Sequence, residues 1–227
     1  MMKRSWLLWL TMIIVVVFIP LKVDGQPAPL SFWRQLDALT PTLTAPTSSS
    51  QSTNQQQTTA DGKQMTPTES IVSDKTLSPT YYYTFASGMT ASERSVFQRA
   101  VSIYNATGIV KLIPGSAGTS DNAVTFFVYK KHMDKSQQGM IEAGHGGPKI
   151  IQRLGVGAYT VNKARAGLNV SYPQYGVKLS VAIHELGHAL GLDHSSSRRS
   201  VMYPVDQGET ALAQSDIRGL KAIYQGE

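Results

Sequence analysis

The stretch "VAIHELGHALGLDHSSS", from Val181 to Ser197, carries three of the five histidines in this 227-residue chain. His184 and His188 are four residues apart within the apolar spacing of an amphipathic helix, so their imidazoles lie on one face. A continuing helix would carry His194 too far along its axis to meet them, but Gly191 can adopt the left-handed conformation that turns the chain. The stretch therefore predicts a helix, a sharp turn and three converging imidazoles.

This arrangement predicts a catalytic zinc site. A catalytic zinc takes three protein ligands and keeps a fourth position for water or substrate. Glu185 projects about 100° around the helix from its neighbour, which suits a general base that deprotonates a zinc-bound water better than it suits a ligand. Paired helical histidines are often ordinary core or surface residues, but the full pattern is far more specific. We expect one Zn²⁺ held by His184, His188 and His194, with Glu185 as the catalytic residue.

The residues "HELGHALGLDH" resemble the metzincin metallopeptidases, whose pattern H-E-x-x-H-x-x-G-x-x-H precedes a methionine turn. Met202 in "SVMYP" resembles that turn, and Ser195 with the closing stretch "LAQSDIRGLKAIYQG" resembles the matrixin, or matrix metalloproteinase-like, branch. The resemblance implies a zinc endopeptidase, with Met202 beneath the ligands and Tyr203 and Pro204 lining the substrate pocket. It also implies a peptide bound as an extra strand, for which we expect "GVGAYTV" (155–161) to supply the sheet edge.

Several features depart from the family. Animal matrixins are held latent by a cysteine thiolate, and this chain has no cysteine, so latency uses another residue or is absent. Outside the motif only His132 and His145 remain, which we expect in loops, and we therefore expect no structural zinc. Ca²⁺ is possible, but no run of closely spaced acidic residues supports it. Ser215 and Asp216 stand where the family has two adjacent acids.

The segments before the motif differ sharply in composition. Lys3 and Arg4 precede an uncharged run from Ser5 to Pro20, so residues 1–25 are predicted to be a signal peptide or, through residues 5–20, a membrane anchor. Residues 26–79 are rich in Ser, Thr, Gln and Pro and are predicted to be a disordered tether or pro-segment. Residues 80–227 form the predicted catalytic domain. We expect a protein that is secreted or held at the extracellular surface, and the cysteine-free composition favours an exported bacterial matrixin.

The domain is predicted to be α+β. Thr90 and Glu93 form a capping box that starts a helix ending before Gly108, and further helices are predicted at 177–190 and in "SDIRGLKAIYQ". Strands are predicted at 81–85, 109–113, 123–129, 155–162 and 166–172. The family resemblance implies a zincin-like catalytic domain with a twisted, mostly parallel sheet of about five strands and three helices.

The expected partner is a protein or peptide substrate. The formal charge is +6, but clusters such as "KKHMDK" and "SSRRS" lack the interleaved aromatic residues of a nucleic-acid groove, so no nucleic acid is expected. We expect a monomer. One alternative is a non-catalytic, zinc-stabilised extracellular binding protein, although structural zinc sites usually have four protein ligands. Another is a metallopeptidase with a glutamate as third ligand, which His194 makes unnecessary.

Overall fold

The computed structural model describes residues 64–133 and 140–226, together with the backbone of Val15–Pro20. Its strands are β1 (Val15–Pro20), β2 (Thr80–Phe85), β3 (Lys111–Pro114), β4 (Asn122–Tyr129), β5 (Met140–Gly147), β6 (Ile150–Arg153) and β7 (Tyr159–Asn169). Its helices are α1 (Ala91–Asn105), the single turn α2 (Pro173–Gly176), α3 (Leu179–Ala189) and α4 (Gln214–Tyr224). The rest of the predicted signal and residues 26–63 of the predicted tether lie outside the described residues. Among the described residues, no helix has the length and apolar character needed to span a bilayer.

Five strands form the body of the sheet, in the order β5-β7-β4-β2-β3. Strands β3, β2, β4 and β7 run parallel to their neighbours, whereas β5 is antiparallel to β7. Strand β1 pairs antiparallel with the outer edge of β5, and β6 forms a hairpin with the first half of β7. The predicted α+β fold with a mostly parallel sheet is confirmed.

Helix α1 begins at the predicted capping box. The Thr90 hydroxyl accepts a hydrogen bond from the Glu93 backbone N–H at 3.3 Å, and Glu93 Oε2 accepts one from the Thr90 N–H at 2.7 Å. The chain leaves the helix through Gly108, whose φ of 68° is in the left-handed region. The buried face of α1 reaches the sheet where Phe97 stacks on Phe126 of β4, with 4.4 Å between ring centroids.

Helix α3 is buried from Ser180 to Ala189. The Tyr104 hydroxyl of α1 donates to the Ile183 carbonyl at 3.0 Å. A Cβ added at Gly187 would lie 2.3 Å from Met202 Sδ, so the helix and the turn around Met202 are in direct contact. Packing on two sides fixes the position of the helix that carries the histidine motif.

Strand β5 was not predicted, and the expectation that His145 lies in a loop is wrong. Glycine-rich sequence has low strand propensity, but here glycine is required by close packing against α3. A Cβ on Gly144 would lie 2.6 Å from Glu185 Oε1, and one on Gly146 would lie 2.5 Å from the Glu185 carbonyl oxygen.

The two strands predicted at 155–162 and 166–172 are one strand, β7, because the chain continues in register with β4 beyond its hairpin with β6.

Part of the stretch predicted to be a tether packs against the domain. Ile71, Val72 and Leu77 are buried and form a small apolar cluster with Ile150 of β6. These few apolar side chains are spaced among polar residues, which is why composition alone indicated disorder. The packed region of the chain therefore begins before residue 80.

Candidate functional site

The structure brings the three histidines of the motif together. His184 and His188 lie one turn apart on α3, and the chain then turns at Gly191, with a φ of 103°, to return His194. One ring nitrogen from each of the three lies within 4.8 Å of the others. The Nε2 atoms of His184 and His188 are 2.9 Å apart. The turn predicted at Gly191 is confirmed.

Backbone carbonyls orient two of the rings. His184 Nδ1 lies 2.7 Å from the Val201 carbonyl oxygen, and His188 Nδ1 lies 2.8 Å from that of Leu192. A carbonyl can only accept, so in each ring Nδ1 carries the proton and Nε2 presents its lone pair to the common centre. The segment that returns His194 thus sets the tautomer of His188 through Leu192, and the turn after His194 sets that of His184 through Val201.

Burial lowers the pKa of all three imidazoles, which favours their neutral form. His184 and His188 are 2% and 0% exposed, and desolvation, with His194 nearby, lowers the pKa of His184 to about 3. Desolvation also lowers the pKa of His188 well below its usual value and lowers that of His194. The buried His194 Nε2 has no hydrogen-bond partner, and a buried polar atom without a partner is costly. Neutral imidazoles with an unpartnered nitrogen fit a divalent transition-metal ion. Among the described residues, these three form the one set with metal-binding geometry.

Glu185 follows His184 on α3 and is not part of the ligand set. The residue is fully buried, and neither carboxylate oxygen has a hydrogen-bond partner. Desolvation, followed by the charge of Glu142, raises its pKa well above the usual value. Such a carboxylate takes up a proton more readily than one in water.

The turn after His194 is held by a buried acid that sequence reasoning noted but did not place. Asp216, near the start of α4, accepts hydrogen bonds from the Ser200 hydroxyl at 2.5 Å and from the Val201 N–H at 3.3 Å. Met202 follows, fully buried, and its carbonyl accepts from the Ser195 N–H at 2.9 Å. Because the Val201 carbonyl orients His184, Asp216 acts on the site through this turn. Its position in the first turn of the closing helix was the available sequence signal.

A pocket opens beside His184. Of the two residues predicted to line the substrate pocket, Tyr203 lines this pocket and Pro204 does not. Asp206 and Glu209 also line the pocket, and Asp206 Oδ2 lies 3.5 Å from Lys178 Nζ. Sequence reasoning missed both acids because nothing local marks them as pocket residues.

His145, which lies outside the motif, occupies different surroundings. The ring of His145 packs on Tyr129 at 4.4 Å, and its Nδ1 lies 3.7 Å from Glu142 Oε1. Although burial opposes ionisation, hydrogen bonds from His145, Lys131 and Tyr129 lower the pKa of Glu142 to about 2. Glu142 on β5 is therefore the centre of an ionic and aromatic cluster at this end of the sheet.

Glu69 was also missed, because it lies in the predicted tether. Its Oε1 is 3.3 Å from His188 Nδ1, and the side chain is buried. Desolvation, followed by the charge of Asp193, raises its pKa to about 8. A carboxyl group from outside the motif thus faces the back of a candidate ligand.

Comparison with known proteins is consistent with this geometry. Macrophage metalloelastase of Oryctolagus cuniculus is 48% identical over 50 residues, which are 20% of this chain and 11% of that protein. Metalloendoproteinase 1 of Glycine max is 52% identical over 48 residues (20% and 16%), and matrilysin of Rattus norvegicus is 52% identical over 50 (20% and 19%). The matched stretches thus span less than a fifth of these relatives. The sequence model of the family described as Matrixin matches residues 89–225. That match covers more than half of the chain, from the start of α1 to the end of α4, and the chain belongs to the matrixin family of zinc metallopeptidases.

Proposed function

We propose that the protein is a zinc-dependent endopeptidase in which His184, His188 and His194 hold the metal and Glu185 transfers the proton. The observation that carries the proposal is the convergence of three histidine ring nitrogens, together with a buried Glu185 carboxylate, on the same helix as two of them, that has no partner of its own. A metal kept only for folding normally has four protein ligands. This site offers three histidines and a base, which favours catalysis over the binding-protein alternative.

When bound, zinc supplies Lewis-acid activation of the water and of the scissile carbonyl. The chain's own contribution is proton transfer. Glu185 accepts a proton as the water oxygen bonds to the carbonyl carbon, and it donates that proton to the amide nitrogen as the C–N bond breaks. The raised pKa of Glu185 suits a group that must hold the proton between these two events.

An extended peptide is proposed to lie along β5. The outer edge of β5 already pairs antiparallel with the β1 backbone, with Val17 opposite Gly144. Gly144 is also the residue whose Cα lies against the Glu185 carboxylate. A peptide that takes the place of β1 at this edge by strand pairing would therefore pass the proposed base. The expected edge at 155–161 is a poorer candidate, because its strand residues, 159–161, pair with β6.

The proposed location is extracellular, either secreted or tethered at the cell surface. The support is the uncharged run from Ser5 to Pro20 behind Lys3 and Arg4. The relatives described above are animal and plant proteins, and they do not support the bacterial origin predicted from composition.

The test measures both the zinc content and the hydrolysis of a quenched-fluorescence peptide library, for the purified wild-type chain and its variants. Glu185→Gln is expected to retain one zinc per chain while kcat falls by about 10²–10⁴-fold, the usual contribution of a general base. Glu93→Gln, at the exposed start of α1, is the matched control and should behave as wild type. A wild-type protein that binds zinc and cleaves no peptide would favour the binding-protein alternative.

A further inference from the structure

The segment Gln64–Val72, here called the strap, is bound at one end to α4. The Thr66 N–H donates to the Ser215 carbonyl at 3.0 Å, and the Thr66 hydroxyl donates to Asp216 Oδ1 at 2.6 Å. Arg218 Nη2 and Nε donate to the Gln64 carbonyl at 2.5 and 3.2 Å. The strap is thus joined to the same buried acid that holds the methionine turn.

Its other half pairs with the turn between the second and third histidines. The Glu69 N–H donates to the Gly191 carbonyl at 2.8 Å, and the Asp193 N–H donates to the Pro67 carbonyl at 2.8 Å. Thr68 and Leu192 form an antiparallel bridge between these two bonds. The strap therefore fixes the turn that sets the spacing of His188 and His194.

The Glu69 side chain enters the site from this backbone. It is 2% exposed, and its Oε1, which has no hydrogen-bond partner, lies within ion-pair distance of His188 Nδ1, at 3.3 Å. The main acceptor of His188 Nδ1 is the Leu192 carbonyl at 2.8 Å, which belongs to the residue bridged to Thr68. Glu69 faces the ring edge opposite Nε2, so its place is behind the ligand and not in the ligand set.

We propose that Glu69 is a positioning residue for zinc binding, which holds the His188 ring with Nε2 directed at the metal. This inference rests on the proposed ligand set. Acceptors behind a metal-bound histidine fix its tautomer and ring orientation, and their loss costs about 10–100-fold in metal affinity. The strap lies before residues 89–225, where the family match begins, so the carboxyl group comes from a part of the chain that the family pattern does not include.

A contribution to the stability of the fold does not explain why a carboxyl group is buried at position 69. A buried carboxyl group without a good hydrogen bond destabilises the folded state. A methionine has the same unbranched length and no polar atom to desolvate, so it should pack at least as well. A packing role therefore predicts that Glu69→Met leaves zinc affinity unchanged, whereas a positioning role predicts that it weakens zinc binding.

The experiment measures the zinc dissociation constant of the full chain by competition with a chromophoric chelator, together with the Tm of the metal-free protein. Glu69→Met should keep or raise the metal-free Tm and weaken zinc binding by about 10–100-fold. Glu69→Gln retains an acceptor oxygen and should bind zinc more tightly than Glu69→Met. Arg218→Ala, which loosens the strap at Gln64 without touching His188, is the control and should change affinity less than twofold.

Two results would overturn the inference. Zinc binding by Glu69→Met within twofold of wild type would remove any role for the carboxyl group. Equal losses of zinc affinity and metal-free Tm in Glu69→Met and Arg218→Ala would reduce Glu69 to an anchor of the strap. A wild-type chain that binds no zinc would instead refute the ligand set, which separates the failure of the proposed function from the failure of this inference.

Discussion

Replacing Gly144 by alanine tests how closely β5 is fitted to the proposed base. The added Cβ would lie 2.6 Å from Glu185 Oε1, 2.7 Å from Glu185 Cγ and 2.8 Å from the Gly167 carbonyl oxygen. The Gly167 contact is with backbone of β7, so the strand cannot simply move away from α3. The Glu185 side chain must therefore shift, by about 1 Å if ordinary van der Waals separation is to be restored.

A displacement of about 1 Å at a reacting group costs about 100-fold in rate, and overpacking of this kind costs about 1–3 kcal/mol of stability. We expect Gly144→Ala to lower kcat by about that factor while zinc content stays at one per chain, because the change meets the carboxylate and not the imidazoles. The assay pairs elemental analysis with steady-state peptide hydrolysis. Gly118→Ala is the matched control, since its Cβ would meet only the Asp121 side chain. Wild-type kcat in folded Gly144→Ala would refute the claim that this strand positions Glu185.

Three further predictions concern stability. Asp216→Ala leaves the buried Ser200 and Thr66 hydroxyls without their acceptor and should cost about 2 kcal/mol or more in urea unfolding, since each unsatisfied group costs about 1–3 kcal/mol. A loss below about 1 kcal/mol would contradict this expectation. Zinc at 100 times its dissociation constant should stabilise the fold by about 2.7 kcal/mol, so a Tm unaffected by chelation would contradict a site that binds only the folded chain. Ionisation of Glu69, whose folded pKa of about 8 exceeds its usual 4.5, opposes folding. The metal-free wild type should therefore lose stability relative to Glu69→Met as pH rises from 4.5 to 8, and no further above pH 8. The loss is at most about 1.4 kcal/mol per pH unit, and less with solvent screening. A stability difference that stays constant from pH 4.5 to 8 would contradict the raised pKa of Glu69.

Local signals were sufficient for the elements that carry the site. Side-chain caps and apolar spacing predicted the helix that starts at Thr90 and the motif helix, placed at 177–190 and observed as Leu179–Ala189. The left-handed turn at Gly191 also followed from the sequence, because only that turn brings His194 back. Each of these features depends on residues that are close together in the chain.

The features that escaped prediction depend on contacts between distant residues. Strand β5 contains "GHGG", which is poor strand sequence, and it forms because α3 leaves room for no Cβ at Gly144 or Gly146. The strap has the composition of a linker, and its order comes from pairing with Gly191–Asp193, more than a hundred residues later in the sequence. Propensity and composition cannot report such contacts, since they describe a segment without its partner.

The contacts around α3 also bear on how a chain without disulfides keeps a metal site in shape. Three elements reach the motif from outside it: α1 through the Tyr104 hydroxyl, α4 through Asp216, and the strap through Glu69. None contributes a candidate ligand, yet each fixes the backbone or a ring on which a ligand depends. The free energy of metal binding is then partly free energy of folding, because the ligands converge only when all three elements are docked. It follows that mutations in the strap, far from the motif in sequence, should change metal affinity more than mutations of an exposed residue close to His194 in sequence, such as Arg198.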